Sequence, residues 1–250
     1  MSPISSNAVF HFTPTLENLV GILTNEFRPS YCVEDLSPLG RKPGNARPAL
    51  AFPLVAFCDI PLSQASDHVG TYGRYALGLS REWAMEHGLT PVLYTHATGG
   101  TMQAINALVR HAGQHGVKHI NVLDQAYRLL FYAKPYRGRL WRAGEWRPDT
   151  CFYNEREWRF VPEGKPLKDI RVLVGEDALS DVKRAAATAT IRTRLSFTPS
   201  DIRYVIVGSD SEILPTIEEL ERIKGPKYSR PAVKLLTSRL LSAEQIRADL

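Results

Sequence analysis

The apolar residues of this chain change their spacing twice, and that change limits the fold more than any other feature. Over residues 8–13, 50–60, 74–79 and 91–95 they run continuously or alternate, as strands require. Over 102–111 and 121–132 they recur at helical spacing: Met102, Ile105, Leu108 and Val109, then Leu123, Tyr127 and Leu130. Strand patterns return at 151–161, 170–174 and 202–207. Strands bracket a helical middle with no regular βαβαβ succession, which predicts an α+β fold. The expected organisation is one domain over 1–250, with a helical insertion at about 101–135 and a C-terminal helical elaboration at about 211–250.

Local signals punctuate this plan. Thr13-Pro14 offers an N-cap followed by proline at the first helical position, and Leu16, Leu19, Val20 and Leu23 carry a helix to about Asn25. Residues 28–47, rich in Pro, Gly and charge, read as a long loop, and 61–73 as a polar segment with a short helix. Ser80 caps a helix over 81–87 that Gly88 ends. Further helices are expected at 179–190, 214–223 and 243–250, and Gly99-Gly100 reads as a turn. Neither GxGxxG nor GxxxxGK[ST] occurs, so a Rossmann or P-loop phosphate cradle is excluded.

No apolar run reaches the roughly 18 residues of a membrane span, and residues 1–10 lack a basic then apolar leader. The expectation is a soluble, cytoplasmic protein with no membrane partner. Cys32, Cys58 and Cys151 are odd in number and far apart, which fits reduced thiols serving as small buried hydrophobes. A net charge of +5 and a pI near 9.1 allow an anionic partner.

The densest chemistry lies at residues 154–159, Asn-Glu-Arg-Glu-Trp-Arg, inside an otherwise apolar and aromatic stretch. As a strand, it puts Tyr153, Glu155, Glu157 and Arg159 on one face. Two carboxylates two residues apart raise each other's pKa unless a cation binds between them. A solvated edge strand is the alternative reading. His11-Phe12-Thr13, at the end of the first strand, can point both polar side chains to one side; a core histidine beside a helix cap explains it equally. Tyr72-Gly73-Arg74-Tyr75, with His68 one helical turn before Tyr72, suits a clamp for a planar ligand or half-buried packing. His111, His115 and His119 share a helical face, but Gly113 and Gly116 argue for a turn, and no metal is expected. Residues 134–147 interleave five Lys or Arg side chains with Tyr136, Trp141 and Trp146. Such a run binds single-stranded nucleic acid, through Arg137, Arg139, Trp141 and Arg142, or folds onto acidic surface of its own protein.

Taken together, His-x-Thr on a first strand, a tyrosine-bearing middle strand and a late Glu-x-Glu resemble the ADP-ribosyltransferase superfamily. At finer grain, VFHFTPTLENLVGIL (9–23), FCDIPLSQASDHVGTYGRYALGLSREWAMEHG (57–88), YNEREWRFVP (153–162) and LSFTPSDIRYVIVG (195–208) look like the AbiGi family of abortive phage-resistance proteins. The superfamily resemblance implies a mixed or antiparallel split sheet and an enzyme that takes NAD as substrate. It would have His11, Thr13 and Tyr72 or Tyr75 at the dinucleotide, Glu157 as the catalytic glutamate and Glu155 two residues before it. Glycosidic cleavage passes through an oxocarbenium-like sugar that needs negative charge close by. The acceptor implied is nucleic acid, RNA first, or else protein. The AbiGi resemblance implies a phage-defence effector, or instead a non-catalytic antitoxin that binds a cognate partner.

Overall fold

Strand β1 (Ala8–Thr13) is antiparallel to β4 (Tyr75–Ser80) over its full length, from Ala8 opposite Ser80 to Thr13 opposite Tyr75. The buried run Ala8, Val9, Phe10 shows why its pattern is continuous rather than alternating: both faces of the sheet are covered here. A computed structural model describes residues 6–35, 48–114, 120–142, 145–162, 171–174 and 193–249. They form an α+β fold with a mixed sheet, as expected, and divide into two units.

The first unit combines Met1–Arg28, Ala56–Leu89 and Thr193–Leu250. Its β1 also pairs with the end of β3 (Pro48–Cys58), Phe10 opposite Cys58. On the other side β4 meets β12 (Ile202–Val207) antiparallel, and β13 (Leu240–Ser242) joins β12 in parallel. Helix α1 (Leu16–Asn25) turns Leu19 and Leu23 inward. Its cap is Thr15, whose hydroxyl accepts from Asn18 N–H at 3.2 Å, and not Thr13 as expected. Thr13 is still pairing with Tyr75 in the sheet, so its backbone cannot open a helix. Ser80 caps α3 (Arg81–Glu86) as read, accepting from Trp83 N–H at 3.1 Å, and Gly88 follows with φ 71°. A short 3-10 turn (Leu62–Gln64) and α2 (Ala65–Tyr72) fill the polar segment. Phe10, Ile60, Val69, Ile206 and Ile246 share one core cluster. Helices Ile213–Lys224 and Ala243–Asp249 match expectation; Arg230–Thr237 was not foreseen.

The second unit combines Pro29–Val55 and Thr90–Arg192. Part of the expected loop is strand β2 (Ser30–Asp35), paired antiparallel with β3, which also pairs with β11 (Arg171–Val174). The single strand expected at 91–95 is two, β5 (Thr90–Pro91) and β6 (Leu93–Thr95). Between them the backbone changes partner: Val92 N–H donates to Glu157 O and Leu93 N–H to Tyr132 O. The helical insertion is present as α4 (Gly100–Gln114) and α5 (Ile120–Phe131), which bury Met102, Ile105, Ala126 and Leu130. After α5 come β7 (Ala133–Pro135), parallel to β6, and an antiparallel pair, β8 (Arg137–Arg142) with β9 (Glu145–Cys151). Most of the described residues of the basic run are therefore strand. Expectations for the helix at 179–190, for His115 and for His119 lie outside the described residues. Among those described, no helix is long and apolar enough to cross a membrane.

The expected strand at 151–161 is a correction. Cys151 ends β9, Phe152–Glu155 is a 3-10 turn, Arg156 takes a left-handed conformation at φ 46°, and strand resumes as β10 (Glu157–Phe160). Phe152 and Glu155 are both buried. Residues three apart fall on opposite faces of a strand but eclipse in a 3-10 turn, so inward packing of both selects the turn.

Gly73 ends α2 with φ 126°, and a Cβ there would overlap the Thr13 carbonyl. Gly73→Ala should therefore cost about 1 to 3 kcal/mol or more, read as a lowered urea midpoint with an unchanged m-value.

Candidate functional site

In the second unit, β6 and β7 run parallel with Tyr94 opposite Lys134. Glu157 and Arg159, two residues apart on β10, share a face, and the 3-10 turn delivers Glu155 beside them. The Lys134 ammonium donates to Glu155 Oε2 at 2.6 Å and to Glu157 Oε2 at 2.7 Å. Arg159 donates through Nε to Glu157 Oε1 at 2.6 Å and through Nη2 to Glu157 Oε2 at 3.1 Å. Its Nη2 also reaches Glu34 Oε1 on β2 at 2.7 Å, and its Nη1 the Phe131 carbonyl at 2.6 Å. Glu157 N–H donates to the Tyr94 hydroxyl at 2.7 Å. The site is nearly dry: Glu155, Glu157 and Lys134 are 5 to 7% exposed and Arg159 0%.

Burial alone would raise the Glu157 carboxyl, but Arg159 and Lys134 overcome it and pull it down to about 2. Burial works against the Lys134 ammonium, yet Glu157, Glu155 and Glu34 hold its pKa well above the usual lysine range. Glu34 is pushed up by burial first, with Arg159 and Lys134 pulling against it and Glu157 and Glu155 adding to the rise. Burial also drives the Cys32 thiol up to about 12, so this cysteine is no thiolate nucleophile at neutral pH. Chemically, Glu157 is a fully ionised carboxylate with cations on both oxygens.

The structure thus joins Glu155 and Glu157, as the sequence suggested, and supplies the cation between them from Lys134. Sequence reasoning placed Arg159 on the face of the two glutamates without giving it a role, and it missed Glu34. Nothing local could assign Glu34, which lies more than a hundred residues away in the chain.

The residues expected at a dinucleotide lie in the first unit. His11 Nδ1 donates to the Ala56 carbonyl at 2.8 Å, and its ring packs 5.2 Å from Phe27 and 5.6 Å from Phe57. Thr13 is buried, opposite Tyr75, whose hydroxyl donates to Glu212 Oε1 at 2.8 Å. Tyr72, at the end of α2, lies 5.7 Å from the ring of buried His68.

The residues expected at nucleic acid lie on the hairpin of the second unit. Arg137 is clamped by Asp149 (Nε to Oδ1 3.0 Å, Nη2 to Oδ2 2.9 Å), and Arg139 by Asp35 at 2.8 Å. Trp141 stands opposite Trp146 and Arg142 opposite Glu145. Arg137 and Arg139 are thus each paired with a carboxylate of the same protein. His111 sits on α4.

Residues 25–208 match a family model described as abortive phage resistance protein AbiGi, antitoxin. A relative named abortive phage resistance protein AbiGi, from Lactococcus lactis subsp. cremoris, is 27% identical over 219 residues, covering 79% of this chain and 88% of that protein. No solved structure matches significantly.

Two outcomes follow from the cluster. Lys134→Ala leaves two buried carboxylates sharing Arg159 with Glu34, and should cost about 3 to 5 kcal/mol in urea denaturation at neutral pH. Glu157 is held below its ordinary value of 4.5 in the fold, so its charged form stabilises fully above about 4.5 and that stability is lost as pH falls toward about 2. Glu34, shifted the other way, opposes this, so the informative quantity is a difference. Glu157→Gln should be less stable than wild type at neutral pH, and the gap should narrow through that window in acid titrations followed by circular dichroism.

Proposed function

This chain belongs to the AbiGi family of abortive phage-resistance proteins, and from that premise we propose that it serves as an antitoxin that restrains a cognate toxin without catalysing a reaction of its own. The observation that carries this reading is the state of Glu157. The residue best suited to glycosidic chemistry is buried, and Lys134 and Arg159 occupy both of its carboxylate oxygens. A catalytic glutamate in that chemistry must touch the sugar. Here the sugar would have to displace a buried ion pair, which is strongly unfavourable when one charge is left unpaired.

A second reading is NAD-dependent ADP-ribosyl transfer to nucleic acid or protein, with Glu157 and Glu155 at the reaction centre and His11, Thr13, Tyr72 and Tyr75 holding NAD. What favours it is the register of the first unit, where Thr13 lies opposite Tyr75 on adjacent strands and His11 is two residues before.

One experiment separates the two. The protein is induced alone in a bacterial host, and the purified wild type is incubated with NAD. Harmless expression with NAD unconsumed, together with restored growth when the chain is co-expressed with its cognate toxin, is the expected outcome. Growth arrest with NAD consumption, both lost in a soluble, folded Glu157→Gln variant, would overturn the antitoxin reading in favour of the transferase.

A further inference from the structure

Three tyrosines from separate segments of the second unit meet next to the buried cluster. Tyr94 stands on β6, Tyr136 follows β7, and Tyr153 lies in the 3-10 turn. The Tyr136 and Tyr153 rings stack with centroids 5.3 Å apart at 26°, and Tyr94 meets Tyr153 edge-on at 5.4 Å and 73°. Two of these rings face solvent, Tyr136 at 45% and Tyr153 at 53% exposure.

Their exposure is imposed by firm anchoring. Phe152 and Glu155, on either side of Tyr153 in the turn, are buried, and Tyr136 N–H donates to the Thr95 carbonyl at 2.8 Å. The Tyr94 hydroxyl is tied to Glu157 N–H. The turn closes on Arg156 at φ 46°, a conformation costly for a residue with a side chain and one that clusters at functional sites. Rigid, half-exposed aromatic rings held by strained backbone are poor packing but a ready contact surface.

Arg137 follows Tyr136 directly in the chain and is exposed. Arg137, next to Tyr136, engages Asp149 through Nε and Nη2, leaving Nη1 without a partner among the described residues. Arg147 is exposed on the same hairpin.

We infer that Tyr136 and Tyr153, backed by Tyr94, form a stacking platform for the bases of a single-stranded nucleic acid, with Arg137 and Arg147 taking its phosphates. Every base has a π face, so tyrosine rings hold a strand without regard to sequence, and guanidinium groups track the backbone. The exposed chain neighbours of the two rings, Arg137 and Asn154, are polar. Tyrosine and arginine serve protein interfaces as well; the guanidinium groups beside the rings favour a phosphate-bearing strand. This platform lies on other residues than Trp141 and Arg139, and it stands independently of the antitoxin reading.

The test is fluorescence anisotropy of the full chain with a fluorescein-labelled oligouridylate of about twelve nucleotides across a salt series. Wild type should bind, and the Tyr136→Ala, Tyr153→Ala double variant should bind about tenfold or more weakly. The Tyr136→Phe, Tyr153→Phe variant keeps both rings and should match wild type. Arg147→Ala should reduce the slope of log affinity against log salt by about 0.7, one phosphate contact on a single strand. Both rings are exposed, so unchanged thermal melting is expected of each variant. No wild-type binding at low salt overturns the proposal, as does unchanged binding by the double alanine variant. If that variant keeps its oligonucleotide affinity but loses relief of a co-expressed toxin, the surface is a protein interface and the inference fails.

Discussion

Two glutamates side by side in a nearly dry interior need a cation between them, and in this protein that cation is Lys134. The requirement reaches outward from there. Lys134 stands on β7, Glu155 on the turn before β10 and Glu157 on β10 itself. Arg159 extends the network to Glu34 on β2 and to the carbonyl that ends α5. Five segments of the second unit are thereby tied to one set of charges. Such a network is weak evidence for stability, because desolvation costs offset most of the attraction. Its effect is on arrangement: a slipped register would strand a buried charge, so only one arrangement of these strands satisfies all of its members.

The same network shapes the functional reading. Both carboxylate oxygens of Glu157 are engaged by Lys134 and Arg159, and this is the observation on which the antitoxin proposal rests. The clustered charges are interior, while Tyr136 and Tyr153 meet solvent. In the first unit His11, Thr13 and Tyr75 likewise make their polar contacts to Ala56, to the sheet and to Glu212.

Much of this was legible in the order of residues. Periodicity alone separates strand from helix at β1, β4, β12, α1, α4 and α5, because the faces of both elements must alternate between core and solvent at a fixed repeat. Ser80 and Gly88 mark their helix because capping is a matter of one side chain and one dihedral. Glu155 and Glu157 stand out because paired carboxylates in an apolar segment demand compensation. The errors share one origin. Thr13 failed as a cap because Tyr75, sixty residues later, keeps it in the sheet. The strand at 151–161 broke because Phe152 and Glu155 are both drawn inward, toward a core that local pattern does not describe.

What the sequence determined by itself was the inventory: strand and helix periods, the α+β class, the acidic pair and the basic, aromatic run that follows the helical insertion. What only the tertiary structure decided was pairing. Lys134 and Arg139 belong to a basic run that reads as a nucleic-acid contact, yet one neutralises the glutamates and the other meets Asp35. Tyr136 and Tyr153, by contrast, are left facing solvent. Side-chain type and spacing are local properties, so they survive in one dimension. Which charge meets which, and which ring stays exposed, depends on contacts across tens of residues that only the folded chain brings together.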